Sequence, residues 1–211
     1  MKKFLISIVA ALMTIPSFAQ FTSGGFEIDR ENIYYGIRFG GTLASISSDT
    51  KYAEMGTKLG MTLGGVIGIR LSSSVPVFLE SGLYYTERGG KEGKYTCGYN
   101  NLEIPLLIKY GFHATDEIAV LPFVGPYFAY GISGKTKKDD GLGGIEKVST
   151  YDDDEWMGLE RANMGFKFGC GAEYNHLYLE IGYQLGVTNI SKMDDVSAHS
   201  SAFFANFGVN F

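Results

Sequence analysis

The residues in this chain that could do chemistry are few and scattered. His199, Ser200 and Ser201 are consecutive, and they supply the side-chain types that a hydroxyl nucleophile and its base would need. Spacing offers them no acidic partner. His113 and His176 stand apart from that triplet and from each other, so the three histidines make neither a catalytic set nor a metal cluster. The run Asp152-Asp153-Asp154-Glu155 could collect a divalent cation through carboxylate oxygens, but it lacks the D-x-[DN]-x-[DN]-G spacing of a dedicated calcium loop. It reads as a solvated face. The expectation is therefore no catalytic residue, no bound metal and no cofactor. What remains is a set of eight charges, Arg38, Arg70, Glu80, Glu103, Lys109, Lys167, Glu173 and Glu180. Each falls inside a segment that is otherwise apolar or glycine-rich, where a charge needs a reason.

The segments that hold these charges have a period of two. Leu59, Met61, Leu63, Ile67, Ile69 and Leu71 share one face of their segment, and Gly60, Thr62, Gly64, Gly68 and Arg70 share the other. Leu102, Ile104, Leu106, Ile108 and Tyr110 oppose Glu103, Pro105, Leu107 and Lys109, and Leu177, Leu179, Ile181, Tyr183 and Leu185 oppose Tyr178, Glu180, Gly182, Gln184 and Gly186. Similar alternation runs through 34–44, 76–87, 118–132, 163–174 and 202–211, which predicts eight strands. Composition agrees. Among 211 residues there are 29 Gly, about twice the usual share, with 14 Tyr, 15 Phe and only 5 Pro, which excludes a disordered chain and a helical bundle.

A soluble sandwich would bury one face of each strand and wet the other. Here the continuous bulky face is apolar and the opposite face carries charge in mid-strand, which fits a barrel with lipid outside and a mixed lumen inside. The connections alternate in length: 45–58, 88–101, 133–162 and 188–201 are long, and 72–75, 112–117 and 175–176 are short. Long loops on one side and tight turns on the other are the pattern of an outer-membrane barrel. Four basic against four acidic lumen charges should pair into a closed network, because unpaired buried charge costs several kcal/mol per group. Pro105, Pro122 and Pro126 lie within strands of a barrel that has no edge, so a bulge or a weakened ladder is expected between the fourth and fifth strands. Aromatic girdles are expected at Tyr35, Tyr110, Tyr174 and Phe211 on the turn side, and at Tyr85, Tyr130 and Phe203 on the loop side. Cys97 is expected in the second outer loop and Cys170 deep on the lipid face, too far apart for a disulfide.

Met1 to Ala19 reads as a cleaved secretory signal, with Lys2 and Lys3, an apolar stretch from Phe4 to Met13, and a Ser17-Phe18-Ala19 site. Removing two of the 18 basic residues leaves 16 against 23 acidic ones, a mature charge of −7 that disfavours nucleic acid. Residues 20–33 then form a short periplasmic segment and 34–211 the barrel domain.

Gly82-Leu83-Tyr84-Tyr85, Leu102-Glu103-Ile104-Pro105-Leu106-Leu107-Ile108-Lys109-Tyr110, Gly125-Pro126-Tyr127 and Gly182-Tyr183-Gln184-Leu185-Gly186-Val187-Thr188-Asn189-Ile190 occur in that order. They resemble the outer-membrane β-barrel ("porin family") proteins abundant in the Bacteroidetes group. The resemblance implies an all-β, eight-stranded antiparallel up-and-down transmembrane barrel in the outer membrane, and says little about activity. The terminal pattern Phe207, Val209 and Phe211 resembles the signal read by the barrel-assembly machinery. The expected role is a small closed barrel presenting four outer loops for surface interaction or envelope integrity, without catalysis. Alternatives are passive transport of small solutes and membership of a secretion or envelope assembly. The expected partners are outer-membrane lipid and lipopolysaccharide, the assembly machinery during biogenesis, and an unidentified surface or envelope protein.

Overall fold

Apolar side chains alternating with glycine and polar ones produce ten strands in a computed structural model of the chain, which describes residues 33–49, 54–72, 74–139, 145–151, 158–193 and 196–211. The expected signal at 1–19, all of 20–33 except Ile33, and the acidic run 152–155 lie outside the described residues. In chain order the strands are β1 (Ile33–Ser48), β2 (Met55–Arg70), β3 (Val77–Glu92), β4 (Tyr95–Tyr110), β5 (Phe112–His113), β6 (Ile118–Asp139), β7 (Ile145–Ser149), β8 (Ala162–Tyr174), β9 (Leu177–Gly186) and β10 (Ala198–Asn210). Eight of them form a closed antiparallel barrel in the order β1, β2, β3, β4, β6, β8, β9, β10, and β10 returns to β1 through a register running from Gly36↔Asn210 to Ser48↔Ala198. The short strands β5 and β7 are additions paired with β6.

Alternation sets the two faces. Phe39, Leu43, Leu63, Ile104, Phe166, Leu179 and Phe203 point outward and are exposed, while Arg38, Thr42, Glu80, Glu103, Lys109, Lys167 and Glu180 point inward and are buried. A water-soluble protein would not leave so many large apolar side chains uncovered. Tyr35, Tyr110, Tyr174 and Phe211 are exposed at the turn end, and Tyr130 and Phe203 are exposed nearer the other. The turn at Asn175-His176 shows why the sequence folds this way locally. Both residues are left-handed, with φ of 44° and 69°, as a two-residue hairpin turn matched to strand twist requires, and Tyr174 pairs with Leu177.

The strands extend further outward than the alternation predicts. The expected loop 88–101 is instead a hairpin that keeps pairing up to Glu92↔Tyr95 and turns through Gly93 and Lys94, with Gly93 at φ 53°. The charged and glycine-rich stretch 87–94 reads as loop, yet it satisfies its backbone in a ladder. Cys97 consequently lies in a strand rather than a loop. It is buried, Cys170 is exposed on the outward face, and both thiols are free.

Pro105 interrupts the ladder on both sides without shifting the register. Its pairing with Tyr127 is followed next by Ile108↔Val124, and on the β3 side the register passes from Ser81↔Leu106 to Tyr84↔Glu103. The Ser81 hydroxyl donates to the Pro105 carbonyl at 2.8 Å across that gap. A separate irregularity lies higher up: Asn101 pairs with Gly131 and Asn100 with Ser133, so Ile132 is an extra residue in β6. Beyond it the odd-numbered residues of β6 face outward.

The two thiols provide a direct check on these faces. In refolded protein held in vesicles, a lipid-soluble maleimide is expected to label Cys170 and spare Cys97. Unfolding in denaturant should make both react, and a mass count of labels reads the difference.

Candidate functional site: the lumen and its outer cap

Inward side chains of the eight strands fill the lumen in tiers, and the strand register sets their heights. The lowest tier, nearest the short turns, is built on Arg38 (β1), Glu80 (β3) and Lys109 (β4). The Lys109 ammonium lies 2.8 Å from Glu80 Oε1, and the Arg38 guanidinium lies 3.6 Å from Glu80 Oε2. Arg38 also donates to Asn210 Oδ1 at 2.6 Å and lies over the Tyr178 ring at 4.0 Å. The hydroxyl of Tyr34 donates to Glu80 at 2.8 Å, Lys109 donates to the Tyr178 hydroxyl at 2.8 Å, and Asn210 Nδ2 donates to Glu173 at 2.6 Å. One carboxylate thus serves two cations, and β10 ties the remaining carboxylate into the set.

The middle tier is more aromatic. Lys167 Nζ lies 4.6 Å from the Tyr84 ring centroid and 4.3 Å from that of Phe204, and Asn206 donates to Glu180 at 2.7 Å. Aromatic faces attract an ammonium that has been stripped of water. The upper tier is a closed triangle. Arg88 Nη2 donates to Glu103 Oε2 at 2.7 Å and also to Gln184 Oε1, and Gln184 Nε2 donates to Glu103 Oε1. Tyr127 accepts from Arg88 at 3.3 Å and stands with its ring beneath the guanidinium. Above this triangle the filling turns apolar. Ile46, Met55, Cys97, Tyr99, Leu159 and Ile190 pack with Tyr151 and Ala198 into one buried cluster across the outer mouth. The Tyr99 hydroxyl donates to Ser200 Oγ at 2.6 Å at its base.

Seven of the eight charges singled out in the sequence are buried in these tiers. Arg70 is not. It is the last residue of β2, half-buried at the turn-side mouth, and its Nε donates to the Ser72 carbonyl at 2.8 Å. Arg88, absent from the sequence-based set, is fully buried and stands at the centre of the upper tier. The signal that could have found it is parity: Glu80, Tyr84, Thr86 and Arg88 are all even-numbered in one strand. With Arg88 in place of Arg70, four cations still face four carboxylates.

His199 Nδ1 lies 3.1 Å from the Thr188 carbonyl and Nε2 lies 3.3 Å from Ser197 Oγ. Ser200 turns inward to Tyr99, and Ser201 is the next residue on the other face. Among the described residues the ring therefore meets a hydroxyl and a backbone carbonyl. At the closing seam, Phe211 and Tyr35 exchange backbone hydrogen bonds of 2.7 and 3.2 Å. Phe207 and Phe211 are exposed on the outward face, and Val209, also outward, is half-buried.

A closed eight-stranded barrel with an apolar exterior and a charge-paired interior has a counterpart among family models. Residues 18–192 match the one described as the outer membrane protein beta-barrel domain. The chain belongs to that family. β10, which closes the barrel, lies beyond the matched residues. Several solved outer-membrane barrels are similar to this member of the family. Neisserial surface protein A is 18% identical with a TM-score of 0.48, over 86% of this chain and 98% of that one. A major outer membrane protein from Thermus thermophilus is 13% identical with a TM-score of 0.49, over 86% and 100%. Ail, the attachment invasion locus protein of Yersinia pestis, is 12% identical with a TM-score of 0.40, over 84% and 99%. No curated protein matches the chain. At these identities the likeness concerns the fold.

Proposed function

We propose that this family member is a closed, non-catalytic barrel of a Bacteroidetes-type outer membrane, and that its outer strands and loops serve surface interaction or envelope integrity. The observation that carries the reading is the filled lumen. Buried charges pair across it in the lower and upper tiers, and an apolar cluster covers its outer mouth. An eight-stranded barrel is just wide enough for its own side chains to fill it. The balance of four cations and four carboxylates argues against an ion-selective path, which would carry an excess of one sign. In this reading residues 1–19 direct export and are removed, 20–33 form a periplasmic segment, and Phe207, Val209 and Phe211 are read by the barrel-assembly machinery. Outer-membrane lipid, lipopolysaccharide and an envelope or surface protein are the partners it proposes.

Single-channel recording in a planar bilayer tests the proposal, after a heat-dependent gel shift has verified folding of the refolded chain. The expected result is silence. Steady, reproducible conductance steps would overturn the closed-lumen reading in favour of passive solute transport.

A further inference from the structure

The extra residue Ile132 in β6 has an effect outside the lumen. It reverses the parity of the strand beyond it, so that Lys135 and Lys137 share the outward face with Gly98 and Thr96 of β4, their cross-strand partners. Thr96 pairs on its other side with Lys91 of β3, and Gly98 pairs with Gly89. Lys91 and Lys137 therefore flank Thr96, one strand away on each side and about 10 Å apart at their Cα atoms. The Lys58 side chain lies across Gly98, its Nζ 3.6 Å from where a Cβ on that glycine would stand. Gly89 and Gly98 leave the floor between these lysines without side chains. Lys91, Lys135 and Lys137 are exposed and Lys58 is half-buried. Glu87 stands on the same face one row nearer the barrel, where it accepts from the Tyr85 hydroxyl and the Met61 amide. Glu92 belongs to the opposite face by the same register. The patch is thus strongly cationic around a shallow centre.

Directly below it, on the same face, Leu102, Tyr130 and Ile132 are exposed as the top of the apolar band. A molecule that lays phosphates on the lysines would have its acyl chains beside that band. We propose that Lys58, Lys91, Lys135 and Lys137 form a binding site for the phosphate groups of a phosphorylated glycolipid of the outer leaflet. The site rests on the barrel's place in the outer membrane and is independent of whether the lumen conducts.

The test uses the full refolded chain in phosphatidylcholine vesicles, with and without diphosphoryl lipid A, and reads lipid A retained per barrel together with the heat-unfolding temperature. Retention and an upward temperature shift are expected with diphosphoryl lipid A and not with its dephosphorylated form. Each lysine changed to glutamine should weaken retention about fivefold, and K58R/K91R/K135R/K137R should retain the lipid. The heat-dependent gel shift verifies that the variants fold, and the single changes K91Q and K137Q keep the test informative where the quadruple glutamine variant does not fold. Equal retention of the dephosphorylated lipid, or retention unchanged in the glutamine variants, would overturn the proposal. Competition by soluble inositol hexakisphosphate that matches lipid A in affinity would overturn the assignment to a lipid.

Discussion

Replacing Arg88 with methionine is expected to lower the unfolding free energy of the refolded barrel by about 3–5 kcal/mol, the usual cost of removing one partner from a buried ion pair. The guanidinium is fully buried and serves Glu103, Gln184 and Tyr127 together. Without it, the buried Glu103 carboxylate keeps, among the described residues, the single side-chain donor Gln184. The triple change R88M/E103M/Q184M should recover most of the loss, because it removes both charges together with the buried amide that each of them satisfies. Urea unfolding in vesicles, followed by the gel shift, measures both. A loss below about 1 kcal/mol in the single variant, the size of an ordinary surface effect, would mean that the upper tier contributes little to stability. Arg70→Met serves as the comparison, because that side chain sits half-buried at the mouth, and it should stay near the parent.

Gly125→Val is expected to cost about 3 kcal/mol or more from forced backbone movement. Gly125 faces inward on β6, opposite the stretch where Pro105 and Pro126 leave the β4–β6 ladder unpaired. A Cβ there would run into the Leu106 carbonyl and the Leu107 backbone. Two backbones approach closely at this point, and only glycine fits. Gly41→Ala is the contrasting change, since it faces outward and its nearest neighbour would be the Gly60 carbonyl at an ordinary 3.6 Å. The heat-resistant folded band should vanish for the first variant and persist for the second. Equal yields of both would sink the close-approach argument.

These two sites also show what the sequence made legible. Alternation alone places Arg38, Glu80, Glu103, Lys109, Lys167, Glu173 and Glu180 on one face, because a strand's side-chain period is two. The Asn175-His176 turn is legible for a similar reason: a two-residue loop leaves one choice of register. Arg88 was hidden because Glu87, Gly89, Gly90, Lys91 and Glu92 around it carry the composition of a loop, while the ladder that makes them a strand is a long-range pairing with β4. Arg70 misled because parity says which way a side chain points and not whether the barrel still encloses it at the strand's last residue. Nor does composition reveal Ile132 as an extra residue, since a bulge is decided by what the neighbouring strand can pair with. The outward placement of Lys135 and Lys137 follows from that one residue.

The seam between β1 and β10 imposes an order of events on this protein. The first strand of the barrel finds its second partner only when the strand that ends at Asn210 has been made. Until then, every shorter chain carries two unsatisfied sheet margins, the kind of surface that recruits other chains. Closure is therefore a single late step joining residues from opposite ends of the barrel sequence, Gly36 with Asn210 and Ser48 with Ala198, with the slow kinetics such distant pairing brings. A chain truncated within β10 should consequently behave as an aggregating intermediate and not as a slightly weakened barrel. The first and last strands of the closed barrel thus meet at their turn-side ends, where Tyr35 and Phe211 are locked together by their backbones.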